Sequence, residues 1–156
     1  METTKFETKE TTEYQSVIQR CYDKDFILTD RYHVIAPDTT DRCVQHTVDV
    51  FKKSPNFKMY ILLWEGRFAG YIGVEKTDIT TLKGFFLMPS HRRKTKEFFN
   101  VIREVCGNNV YTAVYEKNTR ANKYLLRNNC KFVVEFFDET ERQKVNLYII
   151  CHSEDY

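Results

Sequence analysis

The sequence predicts a single α+β domain over residues 1–156, with a mixed central sheet of six to seven strands flanked by about four helices. The chain has 156 residues, 42% of them apolar, which is enough for one domain with a core of its own. Apolar residues recur at helical spacing in the first third of the chain and at strand spacing over residues 57–89. A strand–helix–strand unit between residues 82 and 116 predicts a right-handed crossover that joins two parallel strands.

The N-terminal third is predicted to contain one short strand and two helices. Residues 5–9 form the strand, and apolar side chains recur every three or four residues over a helix at about 12–23. A loop follows, in which Asp38 or Thr39 can cap the second helix. This second helix ends before residues 54–56.

Three consecutive strands come next. The first two, in FKMYILLWEGRFAGYIGVEK, are joined at Glu65-Gly66, a dipeptide typical of a hairpin turn. The third, TTLKGFFLMP, ends at Pro89. Phe85 and Phe86 are predicted to contribute to the core from this strand.

The remainder of the chain alternates helices and strands before it closes with a hairpin. We predict a helix over 91–106, a strand over 110–116 and a helix over 118–128. The segments KFVVEFFD and VNLYIIC then pair around ETERQ. The aromatic side chains of the first of these strands alternate and are predicted to lie in the core, namely Phe132, Phe136 and Phe137.

Composition argues against several classes of protein. The formal net charge of +2 does not indicate a polyanion binder, so a nucleic-acid partner is not expected. The five cysteines and four histidines have no metal-ligand spacing, which predicts no metal site and suggests buried free thiols in a reducing compartment. No apolar run approaches the roughly 20 residues of a membrane span, and the polar start resembles no signal region, so we expect a cytoplasmic protein with no membrane partner.

The stretch LMPSHRRKTKEFF places four cations at the predicted start of a helix: Arg92, Arg93, Lys94 and Lys96. A helix N-terminus carries about half a positive charge, so each cation there is unfavourable by roughly 0.3–1 kcal/mol. The positive charge becomes favourable if a phosphate binds to the exposed backbone N–H groups. A solvated basic face near an element boundary is equally compatible with the sequence.

Several short motifs accompany this order of elements: residues 87–89 read LMP at the end of the third consecutive strand, Arg92 lies three residues after that proline, and Asn118 and Ala121 stand three residues apart at the start of the last helix. Together the order and the motifs resemble the GNAT superfamily of N-acetyltransferases over nearly the whole chain. The fourth strand of that family ends in V-x-P, which residues 87–89 (LMP) match. Aligned from that proline, Arg92 takes the first position of the phosphate-loop signature Q/R-x-x-G-x-G/A. Asn118 and Ala121 fit the later signature N-x-x-A-x-x-x-Y.

The resemblance implies acetyl-CoA as co-substrate and an amine as the acceptor. The backbone of Leu87 and Met88 would hold the pantetheine arm, and Asn118 would border the cofactor. A carboxylate at a strand end, Glu75 or Glu116, would deprotonate the amine through a water molecule, although a solvated carboxylate is the alternative for each. The pyrophosphate would contact the loop and helix start formed by Arg92, Arg93, Lys94, Thr95 and Lys96.

The resemblance also implies a geometry for the site. The strands at 82–89 and 110–116 should be parallel neighbours that splay apart at their C-terminal ends. In the family, that splay opens the slot for the pantetheine arm.

The chain also departs from the family pattern. Thr95 and Glu97 replace the two glycines of the phosphate loop, and Glu97 adds a negative charge where the pyrophosphate would lie, so repulsion is expected. The tyrosine that protonates the departing CoA thiolate falls on Leu125. Tyr124 is adjacent, but one helical step of about 100° is predicted to turn it into the core.

Eroded motifs of this kind resemble small phage-encoded GNAT-like proteins found inside virions. The sequence therefore leaves two functions open. One is an acetyl-CoA-dependent N-acetyltransferase. The other is a non-catalytic GNAT-fold protein whose partner is another virion or host protein, located in the host cytoplasm or the virion.

Overall fold

The described residues form seven strands and four α-helices in the predicted order. A computed structural model describes residues 5–30, 40–107, 109–140 and 142–150. In chain order the elements are β1 (Glu7–Thr11), α1 (Tyr14–Asp30), α2 (Thr40–Lys53), β2 (Phe57–Trp64), β3 (Arg67–Lys76), β4 (Thr80–Leu87), α3 (Thr95–Cys106), β5 (Val110–Tyr115), α4 (Thr119–Arg127), β6 (Lys131–Asp138) and β7 (Gln143–Ile150).

All seven strands form one mixed sheet in the order β1-β2-β3-β4-β5-β7-β6. Every neighbouring pair is antiparallel except β4 and β5, which are parallel as predicted. These two strands pair only at Thr81 with Tyr111 and at Leu82 with Thr112. The remainder of each strand continues without pairing to the other, so the predicted splay toward the C-terminal ends is confirmed.

Helices cover both faces of the sheet. On one face α3 and α4 bury Phe98, Ile102 and Leu125 against the strands. On the other face α1 and α2 bury a separate cluster that includes Ile18 and Val48. The apolar periodicity of these helices therefore corresponds to the surfaces that they bury.

A β-bulge shapes β4 close to the point where it leaves β5. Gly73 and Val74, consecutive residues of β3, pair with Gly84 and Leu82, which leaves Lys83 as an extra residue on β4. A bulge bends its strand and increases the local twist. The bend therefore lies where β4 and β5 begin to diverge.

The helix predicted over 91–106 begins at Thr95. Before it, Pro89–His91 forms a single 3₁₀ turn in which the His91 N–H donates to the Met88 carbonyl at 2.8 Å. Thr95 Oγ1 then donates to the Arg92 carbonyl at 3.0 Å and fixes the turn. Two of the four cations therefore precede the helix, Lys94 is its N-cap, and only Lys96 lies in its first turn.

The prediction that the aromatic side chains of β6 lie in the core is wrong. Phe132 is 52% exposed, Phe136 43% and Phe137 58%. All but the last of the eight side chains of β6 are exposed, on both faces of the strand, so its alternation does not mark a buried side. Phe85 and Phe86 of β4, in contrast, are half-buried and buried as predicted.

Other element boundaries differ from the predicted ones by a few residues. The first strand lies at 7–11 rather than 5–9, and α1 extends to residue 30. Asp38 and Thr39, the predicted caps, lie outside the described residues. Cys21, Cys106 and Cys130 are buried free thiols, as expected.

None of the helices in the described ranges is both long and apolar enough to cross a lipid bilayer. Within the same ranges, no group of three or more histidine, cysteine or acidic side chains is placed to hold a metal ion.

Candidate active site

The splayed strands open a cavity of about 940 Å³. Residues 81–87 of β4 and 112–115 of β5 line it, so it follows the gap between the two strands. Side chains from α1 and α2 line it on one face of the sheet, and side chains from α4 and the start of α3 line it on the other. The cavity therefore passes through the sheet, as a slot for an extended substrate would.

Positive charge predominates along this cavity. The lining residues include the cations Lys83, Arg92, Arg120 and Arg127, whereas Asp138 is the lining carboxylate. Arg120 and Arg127 are seven residues apart on α4, a spacing that places them on the same side of the helix. Sequence analysis missed these two arginines because they form no motif, and only the position of α4 beside the slot places them along the same cavity as Arg92.

The N-terminus of α3 points backbone donors toward the same region. The first helical hydrogen bond is donated by the Phe98 N–H to the Lys94 carbonyl at 2.9 Å. The N–H groups of Thr95, Lys96 and Glu97 precede it and have no acceptor within the helix. Such groups, together with the helix dipole, form a site that favours an anion.

The predicted cationic residues have different positions. Arg92 lines the cavity, and its Nε donates to the Leu87 carbonyl at 2.8 Å. The Lys94 ammonium lies 3.9 Å from the centroid of the Trp64 ring, a cation–π contact. Arg93 and Lys96 have exposed side chains outside the cavity lining.

The backbone groups predicted to hold the pantetheine arm already have partners. The Met88 N–H donates to the Ala69 carbonyl at 2.7 Å, and the Met88 carbonyl accepts from His91. The Leu87 carbonyl accepts from Arg92. Of the two residues, Leu87 lines the cavity.

Tyr124 is half-buried: it packs against the core cluster, as predicted, and it also lines the cavity, which the prediction missed. Its hydroxyl donates to Thr95 Oγ1 at 3.3 Å, and its ring packs against Phe99 with centroids 5.6 Å apart. Leu125 has no exposed surface and belongs to the core cluster. Because Leu125 faces the sheet, the helical step of about 100° turns Tyr124 toward the slot. Burial raises the pKa of the Tyr124 hydroxyl.

Asn118 and Asn122 fix the start of α4 beside the slot. The Asn118 side chain accepts the Ala121 N–H at 3.1 Å as an N-cap, and Asn118 also lines the cavity. Asn122 Nδ2 donates to the carbonyls of Tyr115 at 3.0 Å and Asn118 at 2.7 Å. Its Oδ1 accepts from Asn146 of β7 at 2.9 Å, so α4 is tied to both neighbouring strands.

Solved structures with the same architecture are acetyltransferases. One from Thermus thermophilus is 15% identical, with a TM-score of 0.63 over 96% of this chain and 98% of its own. A GCN5-related N-acetyltransferase from Brucella melitensis is 13% identical, with a TM-score of 0.67 over 98% of this chain and 78% of its own. A third, from Salmonella typhimurium, modifies the N-terminal serine of a 50S ribosomal subunit protein. It is 14% identical, with a TM-score of 0.58 over 97% of both chains.

The chain has the GNAT fold. No protein-family model matches the sequence, and no curated protein matches it either. Likeness at these identities establishes the architecture, so the chemistry of this GNAT-fold protein rests on its own side chains.

The two carboxylates predicted as general bases lie outside the lining of the GNAT slot. Glu75 accepts a hydrogen bond from Ser54 Oγ and lies 4.0 Å from the Lys83 ammonium, beside the start of β4. Glu116 is in an exposed turn after β5. Their catalytic role stays a prediction.

The cavity lining contains a different proton acceptor, His46 of α2, which the sequence did not single out. No motif marks it. Only the packing of α1 and α2 over the slot brings this helix face to the cavity.

Proposed function

We propose that this protein is an N-acetyltransferase that transfers an acetyl group from acetyl-CoA to an amine within the slot between β4 and β5. One observation carries the proposal. The Tyr124 hydroxyl lies in the slot, 3.3 Å from Thr95 Oγ1 at the start of α3, where a departing thiol would need a proton donor.

The residues around the slot suit CoA as a ligand. Arg92, Arg120 and Arg127 would face its phosphates together with the first N–H groups of α3. Thr95 and Glu97 replace the glycines of the family signature. Glu97 lies two residues after Thr95, which corresponds to about 200° of rotation, so the two side chains leave opposite sides of α3. Glu97 is also outside the cavity lining, which removes the expected repulsion between its carboxylate and a bound phosphate.

Acetyl-CoA supplies an activated acetyl thioester, and the amine nitrogen forms the new bond to the acetyl carbon as the carbon–sulfur bond breaks. The amine loses a proton and the sulfur gains one. The Tyr124 hydroxyl is placed to donate that proton, and because burial raises its pKa it remains protonated at neutral pH. General acid catalysis of this kind is typically worth about 10²–10⁴-fold in rate.

We assign the removal of the amine proton to His46 rather than to Glu75 or Glu116, because His46 lines the cavity and the two carboxylates do not. Histidine is the side chain that most often acts as a general base. Asp138 also lines the cavity, but its Oδ1 accepts the Thr140 N–H at 2.9 Å within its own turn.

A non-catalytic role is the second candidate, and the exposed apolar strand β6 favours it. Such a protein would use the GNAT fold to contact a virion or host protein, as the resemblance to phage-encoded proteins implies. The glycine positions occupied by Thr95 and Glu97 are consistent with the same alternative.

Titration calorimetry with acetyl-CoA and with free CoA separates the two candidates. The proposed enzyme binds both ligands, with a heat signal that weakens as salt screens the arginine–phosphate contacts. Absence of binding to either ligand at low salt would overturn the proposed function and leave the non-catalytic candidate.

A further inference from the structure

Strand β6 carries more exposed large apolar side chains than any other element in the described part of the chain. Five of its eight side chains are large, apolar and exposed, with exposed fractions from 43% at Phe136 to 58% at Phe137. The other exposed large apolar side chains in the described ranges are Val50, Ile79 and Leu126. Leu126 belongs to α4, the element immediately before β6.

The two edges of the sheet differ sharply in chemistry. The described sheet ends at β1 on one side and at β6 on the other. Strand β1 reads ETKET, and its charges are of the kind that protect an edge strand from pairing with another chain. Strand β6 reads KFVVEFFD, and between Phe132 and Phe137 only Glu135 is charged. An edge strand also presents unpaired backbone donors and acceptors, so β6 joins these groups to an apolar surface.

Apolar side chains occur on both faces of β6. Phe132 and Val134 pair with Tyr148 and Leu147, consecutive residues of β7, so Val133 is an extra residue in a bulge. Phe132 consequently shares a face with Tyr148, and Val134 lies on the opposite face. A neighbouring strand would cover side chains on both faces at once, which a helix packed on one face could not do.

We propose that β6 pairs antiparallel with β6 of a second copy of this chain, so that one continuous sheet runs through a two-fold dimer. The charges of the strand select this partner and this direction. Lys131 begins β6, whereas Asp138 ends it and Glu139 follows. Antiparallel pairing brings the basic end of each copy to the acidic end of the other, and parallel pairing would bring like charges together. A two-fold interface needs such self-complementarity.

The interface lies next to the slot. Phe136 and Asp138 of β6 also line the cavity. The second copy therefore lies beside the part of the cavity that these two residues line. The inference does not depend on catalysis, because it rests on the exposed edge alone.

Sedimentation velocity of the full chain over a wide concentration range tests the dimer. Phe137→Lys and Val134→Glu each add a charge to an exposed position of β6, the second beside Glu135 of the facing copy. Ile79→Lys adds a charge at a side chain that is 52% exposed in the turn between β3 and β4. We expect a wild-type dimer, a dimer dissociation constant raised at least about tenfold in each β6 variant, and no change in the Ile79 control. Circular dichroism of all three variants should match the wild type, because the altered side chains are exposed.

Hydrogen exchange gives a second readout. The outward-facing N–H groups of β6 should be protected in the wild type at high concentration and exchange rapidly in Phe137→Lys at the same concentration. A monomeric wild type at every concentration would overturn the proposal. So would a dimer that persists unchanged in both β6 variants, or one in which the β6 N–H groups are unprotected, since either result places the interface elsewhere.

Discussion

The hydroxyl of Tyr124 donates a hydrogen bond to Thr95 Oγ1 at 3.3 Å and joins α4 to the first residue of α3 across the slot between β4 and β5. Thr95 in turn donates to the Arg92 carbonyl at 3.0 Å. A threonine in a position where the GNAT signature has glycine therefore holds two parts of the site in place. The same residue that departs from the family motif also positions the candidate proton donor.

Replacing Thr95 tests this arrangement. Thr95→Val keeps the shape of the side chain and removes its hydroxyl, whereas Thr95→Ser keeps the hydroxyl as a matched control. We expect the valine variant to lower the free energy of unfolding by about 1–3 kcal/mol, because it removes two hydrogen bonds that typically contribute 0.5–1.5 kcal/mol each. The serine variant should lose less than half of that. Urea denaturation measures both, and equal losses would show that the hydroxyl has no structural role.

The arginines of α4 provide a test of phosphate binding. The double variant Arg120→Ala/Arg127→Ala should weaken CoA binding roughly tenfold at low salt, and the difference should shrink as salt screens charge pairs. Lys117→Ala/Lys123→Ala removes the same charge from exposed residues outside the cavity lining and should leave affinity nearly unchanged. Equal losses of CoA affinity in the two double variants would mean that binding depends only on the net charge of the protein.

Glu97 provides a test of the glycine positions. If its carboxylate points away from the slot, Glu97→Gln should change CoA affinity less than about twofold, because repulsion between like charges falls steeply with distance. The measurement is again calorimetry at low salt. A large gain in affinity would indicate that Glu97 opposes the phosphates, as the sequence alone predicts.

The sequence predicts the fold better than the site, and particular residues show why. Strand and helix periods identify the elements that bury a regular set of side chains, as α3 does with Phe98 and Ile102. The parallel pairing of β4 and β5 follows from the crossover rule. The prediction of buried side chains from alternation is wrong at β6, because neither face of this edge strand is buried.

The site depends on rotations of about 100° and on contacts between distant segments, which a motif does not record. The motif aligns Leu125 with the catalytic tyrosine of the family, but the packing of α4 turns Leu125 into the core and brings the Tyr124 hydroxyl to the slot. Arg120, Arg127 and His46 become neighbours of the slot only through the tertiary fold.

Buried thiols predict a loss of stability at alkaline pH. Burial raises the pKa of Cys21 from 9.0 to about 12, and the nearby Arg20 lowers it slightly. The contribution of the Cys21 thiol to the free energy of unfolding is fully present below pH 9, where the thiol is neutral in the folded and the unfolded chain. This contribution is lost as pH rises through the folded pKa. The loss amounts to roughly 4 kcal/mol, at 1.36 kcal/mol per pKa unit.

Unfolding free energies between pH 8 and pH 11 should therefore fall more steeply in the wild type than in Cys21→Ala. The variant starts from a lower stability at pH 8, since it leaves a cavity in the core, so the comparison is between slopes. Identical slopes would mean that Cys21 does not titrate differently in the two states.

The most direct test of the account compares acetyl transfer by the wild type and by Tyr124→Phe, which removes only the hydroxyl. The assay measures CoA release from acetyl-CoA in the presence of small amines and peptides with free N-termini. We predict that the wild type releases CoA in stoichiometric proportion to acetylated amine, and that Tyr124→Phe lowers kcat by about 10²–10⁴-fold with little change in KM for acetyl-CoA. No amine-dependent CoA release by the wild type, or an unchanged kcat in Tyr124→Phe, would contradict it.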